Sequence, residues 1–424
     1  LGRQTVFLSR RWAAASPGLP RFEALAGLIY AGLTLQGMEE YVRPATSALA
    51  RECRAQIDEQ GSIITRNPEE LLEVFTLLTW VVEALREADW IPSQAHLDAL
   101  ERIAPTLRHL RHGDGSLARY HGGGKGVEGR LDEALAKSGN KRLSANHLAM
   151  GFGRLSEGRT TVVMDVAPPP SGRSSLNAHA STLALELTSG RSPIVVNIGS
   201  GSRFGADWAR EGRMGPAHST LTIQGNSSAR LGRPMAHDVG KGESLIDGPS
   251  KVLFEFSEVK KAHQIEAGHN GFVPATGLTH VRNLRLSFDG TTLEGEDLLI
   301  AVEPRDKKQF DAAFEQSNLQ GIAYDVRFHL HPETTPTVDM GGLAVSISLL
   351  SGEMWVLRHT SHAELSLDMS TYFDSTRLKP RKTHQIVLSH RAMEYATRIR
   401  WSLEKVVETD ILSQENLDAL AGII

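Results

Sequence analysis

The sequence predicts an α + β multidomain protein, a partial α/α toroid followed by an antiparallel β-sandwich. Three observations carry that prediction. Apolar residues recur at helical spacing through the first 112 residues. A Gly-rich junction follows, Arg111-His112-Gly113-Asp114-Gly115-Ser116 and then Gly122-Gly123-Gly124. From Leu148 onward the chain reads as one short strand after another, without long helices between them. Many short strands joined by Gly turns pack as antiparallel sheets. At 424 residues the chain is too long for one ordinary core. The division it suggests is a helical domain over 1–112, a junction with a short helix over 113–147, and a sandwich domain over 148–424.

Within the first region, Ala24, Leu25, Leu28, Ile29 and Leu33 form one helical stripe, and Leu71, Leu72, Phe75, Leu78 and Val82 another. Asn67-Pro68-Glu69-Glu70 is a helix start: an N-cap, a proline at the first position, and carboxylates on the positive end of the dipole. A third helix spans Ser93 to Leu110, and Pro105 should kink or split it. A short helix covers Val127 to Ser138. The Gly-rich stretch lacks the Gly-Lys-Ser/Thr ending of a phosphate loop. In the second half, strands are expected at 160–165, 220–224, 252–259, 280–288, 298–302, 323–330, 344–349, 353–358 and 384–388.

Composition narrows the function. The net charge of −4 lacks the basic surplus of a nucleic-acid binder. A local basic patch could still take an acidic polysaccharide. Cys53 is the single cysteine, so no disulfide can form within the chain, and its helical setting reads as a buried, inert thiol. No apolar run reaches the length of a membrane span. No export signal is visible, although the chain opens on Leu1.

The most informative stretch runs from Asn177 to Leu221. It reads as a strand, a Gly turn, a second strand, a loop and a third strand. His179 would begin the first strand, Asn197 end the second and His218 open the third. Neighbouring strands usually pair, so the three side chains are expected to meet in one pocket, as a metal site or catalytic cluster would. The plain alternative is a pair of histidines hydrogen-bonded within the sheet, with Glu186 or Asn197 as partner.

Asn177 to Leu187, Val196 to Gly199 and Ala217 to Thr220 resemble the C-terminal domain of the heparinase II/III-like polysaccharide lyases. That family carries a His-x-His-Ala-x-x-x-Ser-x-Glu-Leu strand, a Val-Asp-x-Gly turn and an Ala-His-Asn-Thr strand. Asp114-Gly115-x-Leu117, His269-Asn270-Gly271, His280-x-Arg282 and Arg-Phe-His-Leu-His-Pro at 327–332 extend the resemblance over most of the chain. It implies a lyase that cleaves uronic-acid-containing glycans by β-elimination. A donor neutralises the C6 carboxylate, a base takes the C5 proton, and an acid protonates the departing oxygen. It also implies an acidic-polysaccharide partner and a place in the cell envelope or periplasm. No redox cofactor is required; a structural zinc on His179 and His218 is the metal the pattern would take.

The residues depart from that family at chemically important positions. Asn177 stands where a catalytic histidine is expected, and Asn197 where an Asp is. The toroid's Asn-His or Asn-Asn pair falls near Ser16-Pro17-Gly18-Leu19. Its Tyr-His pair falls near Arg66-Asn67-Pro68-Glu69. Neither carries the expected residues. The catalytic candidates are therefore Tyr120, His121, His179 and Arg210, and the substrate-binding candidates are Arg66, Asn67, Arg119 and Trp208. On an extended strand Arg119 and His121 would share a face opposite Tyr120. Trp208-Ala209-Arg210 would offer a stacking ring or a core lid. Arg327, His329 and His331 alternate with core residues Val326, Phe328 and Leu330, and would line a groove or a solvated face. The rival to a lyase is a non-catalytic member that binds acidic glycan on the inherited groove. A hydrolase would need two facing carboxylates, and Glu69 and Glu186 are the available pair.

Overall fold

The computed structural model describes residues 1–142, 147–233, 242–360 and 362–406. Helices α1 (Gly2–Arg11), α2 (Leu19–Thr34), α3 (Val42–Gln56), α4 (Pro68–Glu87) and α5 (Gln94–His109) come first, and α6 (Arg130–Ser138) follows the junction. Their apolar stripes bury Phe22, Leu25, Leu71, Phe75 and Ile103 in one core. Asn67 caps α4, its Oδ1 accepting from the N–H groups of Glu69 and Glu70 at 3.0 and 3.2 Å. The expected break at Pro105 does not occur, and α5 is one helix. The carbonyl of Glu101, which would have bonded the missing N–H of Pro105, instead accepts from Asn140 Nδ2 at 2.9 Å. That bond relieves part of the cost of an interior proline.

The strands are β1 (Leu148–Ala149), β2 (Phe152–Glu157), β3 (Thr160–Asp165), β4 (Leu185–Ser189), β5 (Ser192–Val196), β6 (Leu221–Ile223), β7 (Arg230–Leu231), β8 (Leu245–Ile246), β9 (Val252–Val259) and β10 (Ala262–His269). They continue with β11 (Thr279–Ser287), β12 (Thr292–Ile300), β13 (Ile322–Leu330), β14 (Thr334–Asp339), β15 (Ala344–Leu349), β16 (Met354–His359), β17 (Glu364–Tyr372), β18 (Arg381–Ala392) and β19 (Ala396–Lys405). Short helices α7 (Ala206–Glu211), α8 (Val273–Thr276) and α9 (Pro304–Gln316) interrupt them.

Two large antiparallel sheets result. One runs β1-β2-β3-β4-β5-β13-β18-β17, with β6 also on β13, and the other β14-β15-β16-β19-β12-β11-β10-β9. Alternation along each strand turns one apolar face inward. Leu185, Leu187, Val326 and Phe328 of the first sheet share a core with Leu284, Leu293, Trp355 and Leu403 of the second. The opposite face of the first sheet carries the helices: Phe152, Val163 and Ala184 lie in the helical core. The fold is thus a helical toroid segment on a two-sheet sandwich, and the described strands close no barrel. The surface between helices and first sheet is where the candidate residues gather.

A buried charge cluster pins the second sheet to the first. Arg282, fully buried, donates to Asp297 Oδ1 and Oδ2 at 2.8 and 3.1 Å. It also donates to the carbonyls of Leu183 and Ser219 at 2.8 and 2.9 Å. His280 and Trp401 complete the coordination of Asp297, at 2.8 and 2.9 Å. Leu183 and Ser219 flank the two site histidines, so this cluster fixes the loops that present them.

Candidate functional site

The expected histidine strand does not form where the sequence placed it. β4 starts only at Leu185, and His179 lies in the preceding loop; β6 starts at Leu221, and His218 follows a short 3-10 turn. The two imidazoles nonetheless meet, His179 Nδ1 lying 3.0 Å from His218 Nε2. Their tautomers follow from their partners. His218 Nδ1 lies 2.8 Å from the Met214 carbonyl, which can only accept, so Nδ1 carries the proton and Nε2 accepts from His179. The remaining nitrogen of His179, Nε2, therefore holds a bare lone pair. Burial lowers His218 to about 4 and holds His179 well below the usual imidazole range.

Asn197 does not join them. Its Oδ1 accepts from the N–H of Ser219 at 3.0 Å, and its N–H and Nδ2 donate to Glu186 Oε1, each at 3.2 Å. Glu186 also does not partner the histidine pair. Its Oε2 accepts from His112 Nε2 at 3.1 Å and from the N–H of Arg119 at 3.0 Å. Four donors hold the carboxylate ionised against burial, with its pKa lowered.

A second node, missed by sequence reasoning, is Asp165 at the end of β3. Arg66 Nη2 donates to its Oδ1 at 2.5 Å and Ser181 to its Oδ2 at 2.7 Å. His121 Nδ1 accepts from the N–H of His179 at 3.2 Å, and its Nε2 turns towards Asp165 Oδ2 at 3.5 Å. Arg66 and His121 both adopt left-handed backbone, φ +51° and +48°, a conformation costing about 1–3 kcal/mol in a non-glycine residue. The remaining donors of Arg66 reach the carbonyls of Met150, Gly151, Ala167 and Pro168. Arg66 is thus a buried peg from the helices into the sheet, rather than a substrate clamp. Asn67 is a helix cap. An Asp closing an apolar strand was the one visible signal for this node.

The Arg119-Tyr120-His121 segment is bent rather than extended, and its three side chains diverge. Tyr120 is fully buried against Phe152, its hydroxyl within 2.9 and 3.0 Å of the carbonyls of Val163 and Ala184. Burial raises its pKa well above 10. Arg119 takes the other direction. Its Nη2 donates to the carbonyls of Ile198 and Phe373 at 2.8 and 3.2 Å, and its guanidinium lies 4.0 Å over the ring of Tyr372. Its Nη1 is buried with no hydrogen-bond partner among the described residues. Gly199, at φ +89°, is needed there because a Cβ would sit 2.0 Å from Arg119 Nη2.

Arg119 and Tyr372 line two chambers at the junction of helices and sheet. One of about 70 Å³ is lined by Glu69, Gly124, Arg203, Phe204 and Phe373. The other, about 280 Å³, is lined by His112, Thr188, Arg191, His331, Arg377 and Arg381. Lys125 and Asp374 border both. Trp208 stands at 40% exposure with its ring edge-on to Phe373, 5.3 Å between centroids. Arg210 faces away from these chambers' lining and pairs with Glu243. Val326, Phe328 and Leu330 enter the core as expected, but of the trio expected to face outward His329 and His331 are buried and Arg327 is half-buried. The His329 ring bonds Ser370 and the Pro216 carbonyl at 2.7 and 2.9 Å.

The family identified as Heparinase II/III-like, C-terminal, matches residues 140–402. This chain belongs to the heparinase II/III-like family. It is 30% identical over 388 residues to FtsZ-localized protein C of Caulobacter vibrioides (strain NA1000 / CB15N), a span of 90% of this chain and 64% of that protein. Heparinase III superposes with a TM-score of 0.71 at 12% identity, over 96% of this chain and 64% of that one. The heparan sulfate lyase HepC of Pedobacter heparinus gives 0.64 at 13%, over 95% and 62%. At these identities the structures establish the fold. The chain spans less than two thirds of each of these relatives.

A heparinase-like site raises the question of zinc. His179 and His218 bond each other directly, Asn197 Oδ1 is taken by a backbone N–H, and two imidazoles do not make a tetrahedral zinc set. Among the described residues no group of three His, Cys, Asp or Glu side chains is arranged to hold a metal. The donors present therefore do not fit the ion. Glu69 and Glu186, the pair a hydrolase would need, are both bonded to backbone N–H groups, Glu69 to that of Gly124 at 2.7 Å.

Proposed function

We propose that this protein is a glycan-binding member of its family that holds an acidic polysaccharide without cleaving it. The observation that carries this reading is the fate of the proton-transfer candidates. The Tyr120 hydroxyl is sealed in the core, and His121 is buried with its Nδ1 on the N–H of His179 and its Nε2 3.5 Å from Asp165 Oδ2. An acid or base for β-elimination works best with a pKa near the operating pH and must reach the sugar. Burial moves the pKa of each of these groups away from neutrality, Tyr120 upward and His121 and His179 downward. The cleft keeps what binding needs. Its carboxylates are engaged: Glu69 by Gly124, Glu186 by the N–H of Arg119, Asp114 by Ser116, Glu333 by Arg381, and Asp374 by the N–H and hydroxyl of Thr376 at 2.9 and 2.7 Å. Lys125, Arg191 and Arg377 have no carboxylate partner among the described residues, which leaves their charge for a ligand. Phe204 offers a ring at the wall of the smaller chamber, and Trp208 an exposed ring beside it.

The test is a panel of uronate polymers, sulfated and unsulfated, scored in parallel for binding and for the ultraviolet absorbance of an unsaturated uronate product. Binding of one polymer without an absorbance rise is expected. A sustained rise that disappears in a His179→Ala variant would return the protein to the lyases, with the free lone pair of His179 Nε2 as base. The relative named FtsZ-localized protein C supports a second, separate reading, that this chain also localises with FtsZ. A fluorescent fusion whose position is unchanged when FtsZ is depleted would refute it.

A further inference from the structure

The two large sheets end on four strands, β1 and β17 in the first, β14 and β9 in the second. An end strand carries a row of unpaired N–H and C=O groups, a template for another strand unless something blunts it. β1 is two residues long, and β14 contains Pro336. β17 has neither protection. It runs nine residues, from Glu364 to Tyr372, without Pro, Lys or Arg. Its register with β18 is unbroken, and no strand lies on its other side among the described residues. Leu365 and Leu367 pack half-buried against the sandwich core, and Met369, next along the same face, is 61% exposed. The apolar face of the core therefore runs out into solvent along this edge.

We propose that β17 pairs with β17 of a second copy of this chain about a two-fold axis, joining the two first sheets into one. An antiparallel strand pairs with itself only where one residue stands opposite its own copy, because facing residues must both turn their backbone groups across the seam or both away. Asp368 on the axis sets carboxylate against carboxylate, and Ser366 on the axis sets Glu364 against Asp368. Met369 on the axis carries Leu365 past the end of the strand and leaves it uncovered. Leu367 on the axis avoids all three faults. Leu365 then meets Met369 on the core face, and on the other face Ser366 meets Asp368 and Glu364 meets Ser370. Such pairs stabilise a sheet, whereas like charges opposite each other destabilise it. β9 offers no equivalent, since its two central registers oppose Glu255 to itself or Phe254 to Glu258. The far end of the first sheet is the two-residue β1, so the association closes at two copies. Tyr372 lies five residues from the axis, which places the two candidate sites about 34 Å apart along the seam at roughly 3.4 Å per residue. This dimer is independent of what the cleft binds.

Sedimentation velocity on the full chain, from about 1 μM to about 1 mM, is expected to show a reversible dimer, since one strand pair lies at the small end of specific interfaces. Met369→Lys sets an ammonium opposite Leu365 from an exposed position and should weaken association about tenfold or more, with an unchanged thermal unfolding curve as the control for folding. Register is read by oxidative cross-linking, to which the buried Cys53 does not contribute. Leu367→Cys should form a disulfide between copies, because facing Cα atoms stand about 4.5–5.5 Å apart, within disulfide reach. Met369→Cys should not, because its own copy lies four residues along the seam, about 14 Å away. A chain that stays monomeric over the whole range overturns the proposal. So does a Met369→Lys variant that dimerises as the parent does, or cross-linking at Met369→Cys in place of Leu367→Cys. If Leu367→Cys does not fold, the parent and Met369→Lys measurements still decide.

Discussion

Lowering the pH from 7.5 to 5.5 should destabilise this protein severely, and the buried histidines are the reason. His96, His109, His218 and His331 are depressed to about 4 and His329 to about 3, in every case chiefly by burial. Each ring is neutral in the fold: His96 bonds the Leu78 carbonyl, His109 that of Phe152 and His329 that of Pro216, each at 2.9 Å. In the unfolded chain the same groups titrate near 6.5, so as pH falls the unfolded state takes up protons first. Their stabilising contribution is complete above about pH 6.5 and is lost progressively as pH falls towards the folded values. Over the two units from 7.5 to 5.5 each such histidine contributes a loss of about 1.4 kcal/mol, and the five together about 7 kcal/mol as an upper bound. Half of that is already a large part of a typical 5–15 kcal/mol stability. The buried carboxylates Asp165, Asp297 and Glu186 are shifted down and ionised, so their contribution disappears only below about pH 4 and does not enter this window. Urea midpoints measured every half unit, converted to free energy, give the proton uptake from the slope. Uptake of three or more protons near pH 5.5 is expected. A flat profile between 6.5 and 5.5, or imidazole NMR signals of the folded protein all titrating near 6.5, would refute the claim that these rings are structural and neutral.

Breaking the Asp165 node by Arg66→Ala should cost about 3–5 kcal/mol, as removal of one partner of a buried ion pair does; an unchanged urea midpoint would show the peg to be dispensable. Tyr120→Phe should lower stability by about 1–3 kcal/mol through the carbonyls left unpaired and leave glycan affinity unchanged, which equilibrium titration checks. His218→Ala should cost a similar 1–3 kcal/mol with no change in metal content by elemental analysis; loss of a bound ion on mutation would reinstate the zinc site. Gly199→Ala places a methyl group on the Arg119 guanidinium at a left-handed position, and should lower stability by about 1–3 kcal/mol, read as a lower urea midpoint.

The fold was legible because its signals are periodic. The helical stripes of Leu25–Leu33 and Leu71–Val82, the Asn67 cap and the alternation at 326–330 each bury one face, and local pattern reports burial directly. The candidate site was legible only in part. His179 and His218 do meet, though from loops whose ends the Arg282–Asp297 cluster fixes from the other sheet. No local pattern can report such a contact. The burial of Arg66 and Tyr120 was illegible for a related reason. Residue type says what a side chain can do, whereas burial decides whether anything outside the fold can reach it. Tyr372, one half of the chamber wall, gave no signal, since it lies on an edge strand far along the chain from Arg119.

The proposed acidic ligand does not conflict with the net charge of −4, because net charge is a sum over a surface much wider than a ligand. At physiological salt, exposed charges separated by more than about 8 Å are largely screened from one another. What a polysaccharide experiences is therefore the balance within the chambers. There the acids are turned inward onto backbone N–H groups and hydroxyls: Glu69 onto Gly124, Glu186 onto Arg119 and Asn197, Asp374 onto Thr376. These bonds hold the loops that form the walls, so the carboxylates serve the architecture. Of the cations opposite them, Arg381 meets Glu333 at 3.7 Å and Arg203 donates to the Ser375 carbonyl at 3.4 Å, while Arg191 and Arg377 have no carboxylate partner among the described residues. Burial that makes Tyr120, His121 and His179 poor proton donors and acceptors is the same burial that makes them a rigid floor. The tight packing of the junction buries its titratable groups and leaves Lys125, Arg191 and Arg377 exposed at its rim, with no ion-pair partner among the described residues.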